Sequence, residues 1–204
     1  MVISEIRAVV FDVGETLIDE TRHWTVLADA VGVPPLTFFA VFGSLIERGE
    51  DHRRIWSELG VEKPKSGVPV RPDDLYPDAL PCLTAVRRAG FTVGIAGNQP
   101  ASAEAHLKAI GFDADLVASS ERWGVEKPST DFFLRIVDAM GVAANAVLYV
   151  GDRVDNDIMP ARDVGMRTAF LARGPWGTIH KRRPAARLAD ITVASLAELE
   201  ALLS

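Results

Sequence analysis

Short apolar runs recur along this chain with amphipathic helical segments between them, and that alternation restricts the fold more than any other feature. The runs are 6–11, with Arg7 as its only charge, then 91–96, 146–150 and 167–171. They are nearly continuous rather than alternating, as expected of strands buried on both faces of a parallel sheet. Between them, Phe133, Ile136, Val137 and Met140 fall at i, i+3, i+4 and i+7, with Ser129 or Thr130 to cap the segment and Gly141 to stop it. Segments 77–88 and 100–110 repeat the pattern, ending at Gly90 and Gly111, and Ser195 with Glu198 forms a capping box for a last helix. The expectation is an α/β fold: an open parallel sheet with helices on both faces, binding its ligand outside the carboxyl ends of the strands.

The alternation lapses between Asp19 and Tyr76. Trp24, Leu27, Ala28 and Val31 share a helical face, Pro34-Pro35 breaks the chain, 36–48 resumes as helix, and 52–59 is a third short helix. Residues 60–74, with Pro64, Pro69, Pro72, Gly60 and Gly67, form a connector. This divides the chain into a core of 1–18 and 76–204 and an inserted all-helical unit of 19–75. The junctions near Asp19 and Tyr76 are expected to act as hinges. The aromatic residues of the insertion suit core packing, with substrate contact open to those on its inner face.

Composition narrows the function. The 204 residues carry 22 Lys and Arg against 28 Asp and Glu, a net charge of −6, so the chain lacks the positive field that nucleic acid would require. The lone Cys82 permits no internal disulfide and fits a reducing compartment. No apolar stretch is long enough to span a bilayer, and the first residues lack a signal-peptide pattern, so a cytoplasmic protein without a membrane partner is expected. The four His show no close metal-ligand spacing. Oligomeric state is not legible.

The chemistry lies at strand ends. Asp12 follows the first apolar run, Asp152 follows the run 146–150, and Asp155 and Asp157 lie just beyond. Carboxylates gathered on one sheet rim repel one another unless a hard cation binds between them, which points to Mg2+ on oxygen ligands. Helix capping is the other reading of Asp12 and Asp152.

The segment from Phe11 to Leu17 (FDVGETL) resembles the first motif of the haloacid dehalogenase-like hydrolases. Gly124-Val-Glu-Lys127-Pro128 resembles the segment that carries their lysine, and Gly151-Asp152 to Asp157 fits their acidic motif. The same pentapeptide at 60–64 lies outside that order and is taken as a chance repeat. The resemblance spans about 6–18 and 76–171 and implies a Rossmann-like core with a small helical cap. It implies Asp12 as nucleophile in phosphoryl transfer through an aspartyl-phosphate, and Lys127 as the cation between nucleophile and phosphoryl group. Mg2+ would be held by Asp12, the backbone carbonyl of Gly14, Asp152 and Asp157, and the backbone N–H groups of Gly97 and Asn98, with the Asn98 side chain, would bind a phosphoryl oxygen. Asp155 fits the spacing less well and is left out. The implied substrate is a small phosphorylated molecule.

Two positions depart from the family. A second Asp usually stands where this chain has Gly14, which removes the leaving-group acid, and a Ser or Thr where it has Gly97. Without the acid the enzyme is expected to be slow on alkyl phosphates, with Gly14→Asp restoring the rate, unless Glu15, Glu20 or His23 supplies the proton. The departures keep two alternatives open: a weakly active or non-catalytic binding protein, and a haloacid dehalogenase. Arg173 and Trp176 either edge the site or form a turn anchored by one aromatic, and 181–183 (KRR) reads as a solvated face.

Overall fold

The computed structural model describes residues 3–65 and 67–204. Six strands, β1 (Ala8–Phe11), β2 (Thr92–Gly97), β3 (Leu116–Ser119), β4 (Val147–Gly151), β5 (Arg167–Leu171) and β6 (Ile191–Val193), form one sheet in the order β3-β2-β1-β4-β5-β6. Every pairing is parallel. The helices are α1 (Thr21–Ala30), α2 (Pro35–Arg48), α3 (Ile55–Glu58), α4 (Ala79–Arg88), α5 (Ser102–Ala109), α6 (Ser120–Trp123), α7 (Thr130–Met140), α8 (Met159–Asp163), α9 (Gly174–His180) and α10 (Leu196–Leu203).

The two-residue period of a strand sets the layers. Val9 and Phe11 face the apolar sides of α4 and α10, while Ala8 and Val10 face Phe132, Phe133 and Ile136 of α7. Both faces are therefore covered, as the apolar runs require. Strand order grows outward from β1 through β2 and β3 on one side and through β4, β5 and β6 on the other, so the sheet changes direction between β1 and β4. A crevice opens at such a switch point, and Phe11 lies directly opposite Val150 there. The sequence reading missed β3 and β6, which are edge strands of four and three residues. Leu116, Val117 and Ile191 are only half-buried, so neither strand carries a solid apolar run.

Residues 21–59 build a separate layer around Leu27, Phe38, Phe42, Leu45, Ile55 and Trp56. The Trp24 ring centroid lies 4.7 Å from that of Phe42, which assigns these aromatics to packing. Trp176 of α9 reaches into the same cluster, 5.2 Å from both Phe42 and His52. In the segment after α9, Lys181 and Arg182 are exposed, as the reading of a solvated face expects, while Arg183 is half-buried. Arg183 donates to the carbonyls of Ile46 and Glu47, and Arg182 pairs with Glu47 at 2.8 Å, so both side chains dock on the C-terminal turn of α2, where carbonyls lack helix partners and favour cations.

The layer is attached by two strands of chain that bond to each other. Asp19 N–H donates to Asp74 O at 2.8 Å and Tyr76 N–H to Leu17 O at 3.0 Å. The Arg22–Asp74 ion pair closes the ribbon at 2.5 Å. Among the described residues no single helix is long and apolar enough to cross a membrane.

Because Phe42 is fully enclosed between Trp24, Phe38 and Trp176, Phe42→Ala is expected to cost about 3–5 kcal/mol. Equilibrium urea unfolding checks this: the midpoint should fall, with the slope unchanged.

Candidate active site

The rim between β1 and β4 gathers three buried carboxylates. Asp12 N–H donates to Val150 O at 2.9 Å, which sets Asp12 beside the end of β4, and Asp152 leaves β4 immediately after Gly151. Asp157 is returned to the same place by a π-type turn, Val154–Ile158, where its Oδ2 accepts from Arg153 N–H at 2.9 Å. Asp12, Asp152 and Asp157 can each offer an oxygen within 4.8 Å of the others.

Lys127 ties this cluster together. Its Nζ lies 2.8 Å from Asp12 Oδ1 and 2.6 Å from Asp157 Oδ1, and it donates to Tyr149 Oη at 3.1 Å. The Tyr149 hydroxyl in turn donates to Ala96 O at 2.9 Å. Burial favours a neutral amine, but Asp12 and Asp157 outweigh it and hold the Lys127 pKa well above its usual value. Asp157 is pushed up to about 6 by burial against the pull of Lys127. Asp152 receives no such partner among the described residues: it is 1% exposed, neither oxygen has a hydrogen bond there, and burial with the charges of Asp157 and Asp12 drives its pKa well up. A buried, unpaired carboxylate is costly, and a divalent cation among these three hard oxygen donors would relieve it. The residues present therefore fit Mg2+.

The glycine at position 97 follows from this geometry. A Cβ there would stand 2.5 Å from Asp12 Oδ1 and 3.3 Å from Val13 Cγ2, so a Ser or Thr cannot enter without moving Asp12. Asn98 uses its side chain on the backbone of Lys127, donating to its carbonyl at 2.9 Å and accepting from its N–H at 2.8 Å. That positions the lysine and uses one of the two Asn98 amide hydrogens.

Gly14 is bridged to Ile18 on the loop after Asp12, and Glu20 closes against it. Burial pushes the Glu20 carboxyl up to about 7, assisted by the charge of Glu15 and opposed by a hydrogen bond from Trp24. Glu15, itself at φ 53°, accepts from Glu20 N–H at 2.9 Å and from Tyr76 Oη at 2.7 Å. Arg173 does not edge the site. It pairs with Asp78 at 2.8 Å, donates to the carbonyls of Glu15 and Thr16, and lies 3.7 Å over the Tyr76 ring, bracing the loop that carries Asp12. Asp155 pairs with Arg153 at 3.0 Å and lies outside the carboxylate cluster.

Two clefts flank the centre. One, of about 430 Å³, is bordered by Val13, Ile18, Glu20, His23, Val70 and Pro100. The other, of about 470 Å³, is bordered by Lys127, Asn98, Arg153, His52, Arg53 and Glu50. Sequence reasoning missed Tyr149 and Arg153. The only signal for Tyr149 was a hydroxyl inside a buried apolar strand.

The sequence model of one family, described as haloacid dehalogenase-like hydrolase, matches residues 6–165. Among curated proteins, glyceraldehyde 3-phosphate phosphatase of Methanocaldococcus jannaschii is 32% identical over 127 residues, 61% of this chain and 54% of that protein. Phosphoserine phosphatase of Thermus thermophilus is 31% identical over 127 residues, 61% of this chain and 51% of that one. The matched part thus spans about half the length of these relatives. An L-2-haloacid dehalogenase of Xanthobacter autotrophicus superposes with a TM-score of 0.72 at 21% identity, covering 97% of this chain and 98% of that one, which is a likeness of fold.

Two predictions follow from the local geometry. Gly97→Ser should displace Asp12 and cut turnover at least tenfold while leaving the circular dichroism of the fold intact, as assays and spectra on one preparation will show. His180, which is 1% exposed, accepts from Val154 N–H at 3.2 Å, and burial lowers its pKa from 6.5 to about 4. Its folded pKa lies below the unfolded one, so the neutral ring contributes stability above pH 6.5 that is lost as pH falls towards 4. Thermal melts should therefore show a steeper fall in Tm over this window for the wild type than for His180→Asn.

Proposed function

This chain belongs to the haloacid dehalogenase-like hydrolases, and on that footing we propose that it is a Mg2+-dependent phosphatase acting on a small phosphorylated molecule. The observation that carries the reading is the pairing of Asp12 with Lys127 beside the buried, unpartnered Asp152. The relatives named as phosphatases support it.

In this reading Asp12 attacks phosphorus and forms an aspartyl-phosphate. Lys127, fixed by Asn98 and Tyr149, holds Asp12 in place and offsets charge on the phosphoryl oxygens. Asp12, the Gly14 carbonyl, Asp152 and Asp157 would hold Mg2+, which supplies Lewis-acid stabilisation of the transferring group. The backbone N–H groups of Gly97 and Asn98 are proposed to bind a phosphoryl oxygen. Residues 19–75 form the cap over the core of 1–18 and 76–204, and the 17–19/74–76 ribbon is its hinge. The cleft shared by Arg53 and Arg153 admits a polar substrate. A cytoplasmic setting accords with the buried thiol of Cys82.

The test is hydrolysis of p-nitrophenyl phosphate and a panel of phosphorylated metabolites. Activity should require Mg2+, disappear in excess chelator and return when the metal is restored. Asp12→Asn should reduce it to background with the melt preserved. Undiminished turnover by Asp12→Asn, or metal-free release of halide from a 2-haloacid, would contradict the proposal.

A further inference from the structure

Gly14 has no side chain, yet the space beside it is filled. A Cβ placed on Gly14 would lie 2.7 Å from Glu20 Oε1 and 2.9 Å from Glu20 Cδ. The loop after Asp12 doubles back through the Gly14–Ile18 bridge, so Glu20, at the entrance to α1, returns its carboxyl to the neighbourhood of the nucleophile. Two contacts hold it. Trp24 Nε1 donates to Oε2 at 3.2 Å, and Glu20 N–H donates to Glu15 Oε1 at 2.9 Å. Oε1, the atom nearest Gly14, makes no hydrogen bond among the described residues. Glu20 borders the 430 Å³ cleft together with Val13, the residue next to the nucleophile. The charged groups that face it are Glu15, Asp12 and Arg153.

The other two carboxyl and imidazole groups nearby are placed differently. Both oxygens of Glu15 are occupied, one by Glu20 N–H and the other by Tyr76 Oη. His23 lies further along α1 with its ring against the edge of Trp24, at 5.2 Å.

We propose that Glu20 is the catalytic proton donor and acceptor of this site, standing where a side chain from position 14 would otherwise project. The proposal rests on the phosphatase reading above. In the first half-reaction an Asp12 oxygen bonds to phosphorus as the bond from phosphorus to the leaving oxygen breaks. That oxygen keeps the electron pair, takes the proton of the Glu20 carboxyl and departs as an alcohol. In the second, water bonds to phosphorus and gives a proton to the Glu20 carboxylate while the phosphorus–oxygen bond to Asp12 breaks. Phosphate leaves, and the Asp12 carboxylate and protonated Glu20 are restored. The acid thus comes from the first residues of the cap side of the ribbon rather than from the loop of the nucleophile. Glu20 occupies the side-chain space of Gly14, so in Gly14→Asp alone the Glu20 carboxyl must shift from its place to admit the second one.

The experiment measures kcat/KM, which reports formation of the aspartyl-phosphate, for β-glycerophosphate and p-nitrophenyl phosphate. An alkoxide needs the proton far more than a nitrophenolate does. Glu20→Gln should lower the alkyl ester value by about 10^2–10^4, with an effect on the aryl ester at least tenfold smaller. Gly14→Asp alone should lower both. Combined with Glu20→Ala, Gly14→Asp should raise alkyl ester turnover at least tenfold above that of Glu20→Ala, a comparison that stands even if Glu20→Gln does not fold. An equal fall on both esters in Glu20→Gln, or a double variant no faster than Glu20→Ala, overturns the role of Glu20. With Mg2+-dependent, Asp12-dependent turnover intact in the parent, either result leaves the phosphatase reading standing. A parent protein that hydrolyses neither ester overturns both.

Discussion

The site depends on one buried cation. Lys127, 2% exposed, faces Asp12 and Asp157 at hydrogen-bond distance and meets the Tyr149 hydroxyl with its remaining donor capacity. Removing it would leave three carboxyl groups within 4.8 Å of one another at buried positions, where repulsion is screened little. With it, one ammonium still faces three carboxyl groups, and Asp152 bears the imbalance because among the described residues its oxygens have no hydrogen-bond partner. In the proposed mechanism that imbalance would serve to hold a divalent ion, so the feature that destabilises the crevice suits it to the proposed phosphoryl chemistry.

The sheet supplies the positions. Parallel pairing brings Phe11 opposite both Ile95 and Val150, and the chain segments leaving β1, β2 and β4 therefore reach one rim. Their crowding sets the small residues: Gly97 yields space to Asp12, Gly151 to Asp157, and Gly14 to Glu20. Bracing comes from outside the rim. Arg173 grips the loop after Asp12 through two backbone carbonyls, and His180 supports the turn that carries Asp157. Trp176 and Arg183 tie the same region to α2, so the helical layer and the carboxylate rim share supports.

Legibility in the sequence followed burial and chain locality. β1, β4 and β5 were readable because both faces are covered, and α7 because its apolar stripe is long and capped at both ends, by Ser129 and Gly141. Asp12 and Asp152 were readable because each directly follows such a strand. The edge strands β3 and β6 were not, since half-exposed residues leave no apolar run. Contacts between distant positions were also hidden. Nothing in the spacing shows that Asn98 grips the backbone of Lys127, 29 residues on, or that Tyr149 bonds to Ala96 across the sheet. The substitutions at Gly14 and Gly97 look in sequence like two losses. In the structure a neighbouring carboxylate occupies the space each missing side chain would take.

The central claim, that Asp152 and its neighbours hold a surplus of buried negative charge suited to a divalent cation, is tested most directly without turnover. Thermal melts of the wild type and Asp152→Asn, with and without millimolar Mg2+, read the linkage between ion binding and folding. The account predicts that Mg2+ raises the Tm of the wild type, that Asp152→Asn melts higher than the metal-free wild type, and that its Tm ignores Mg2+. A wild-type Tm indifferent to Mg2+, with Asp152→Asn no more stable than the metal-free parent, would contradict it.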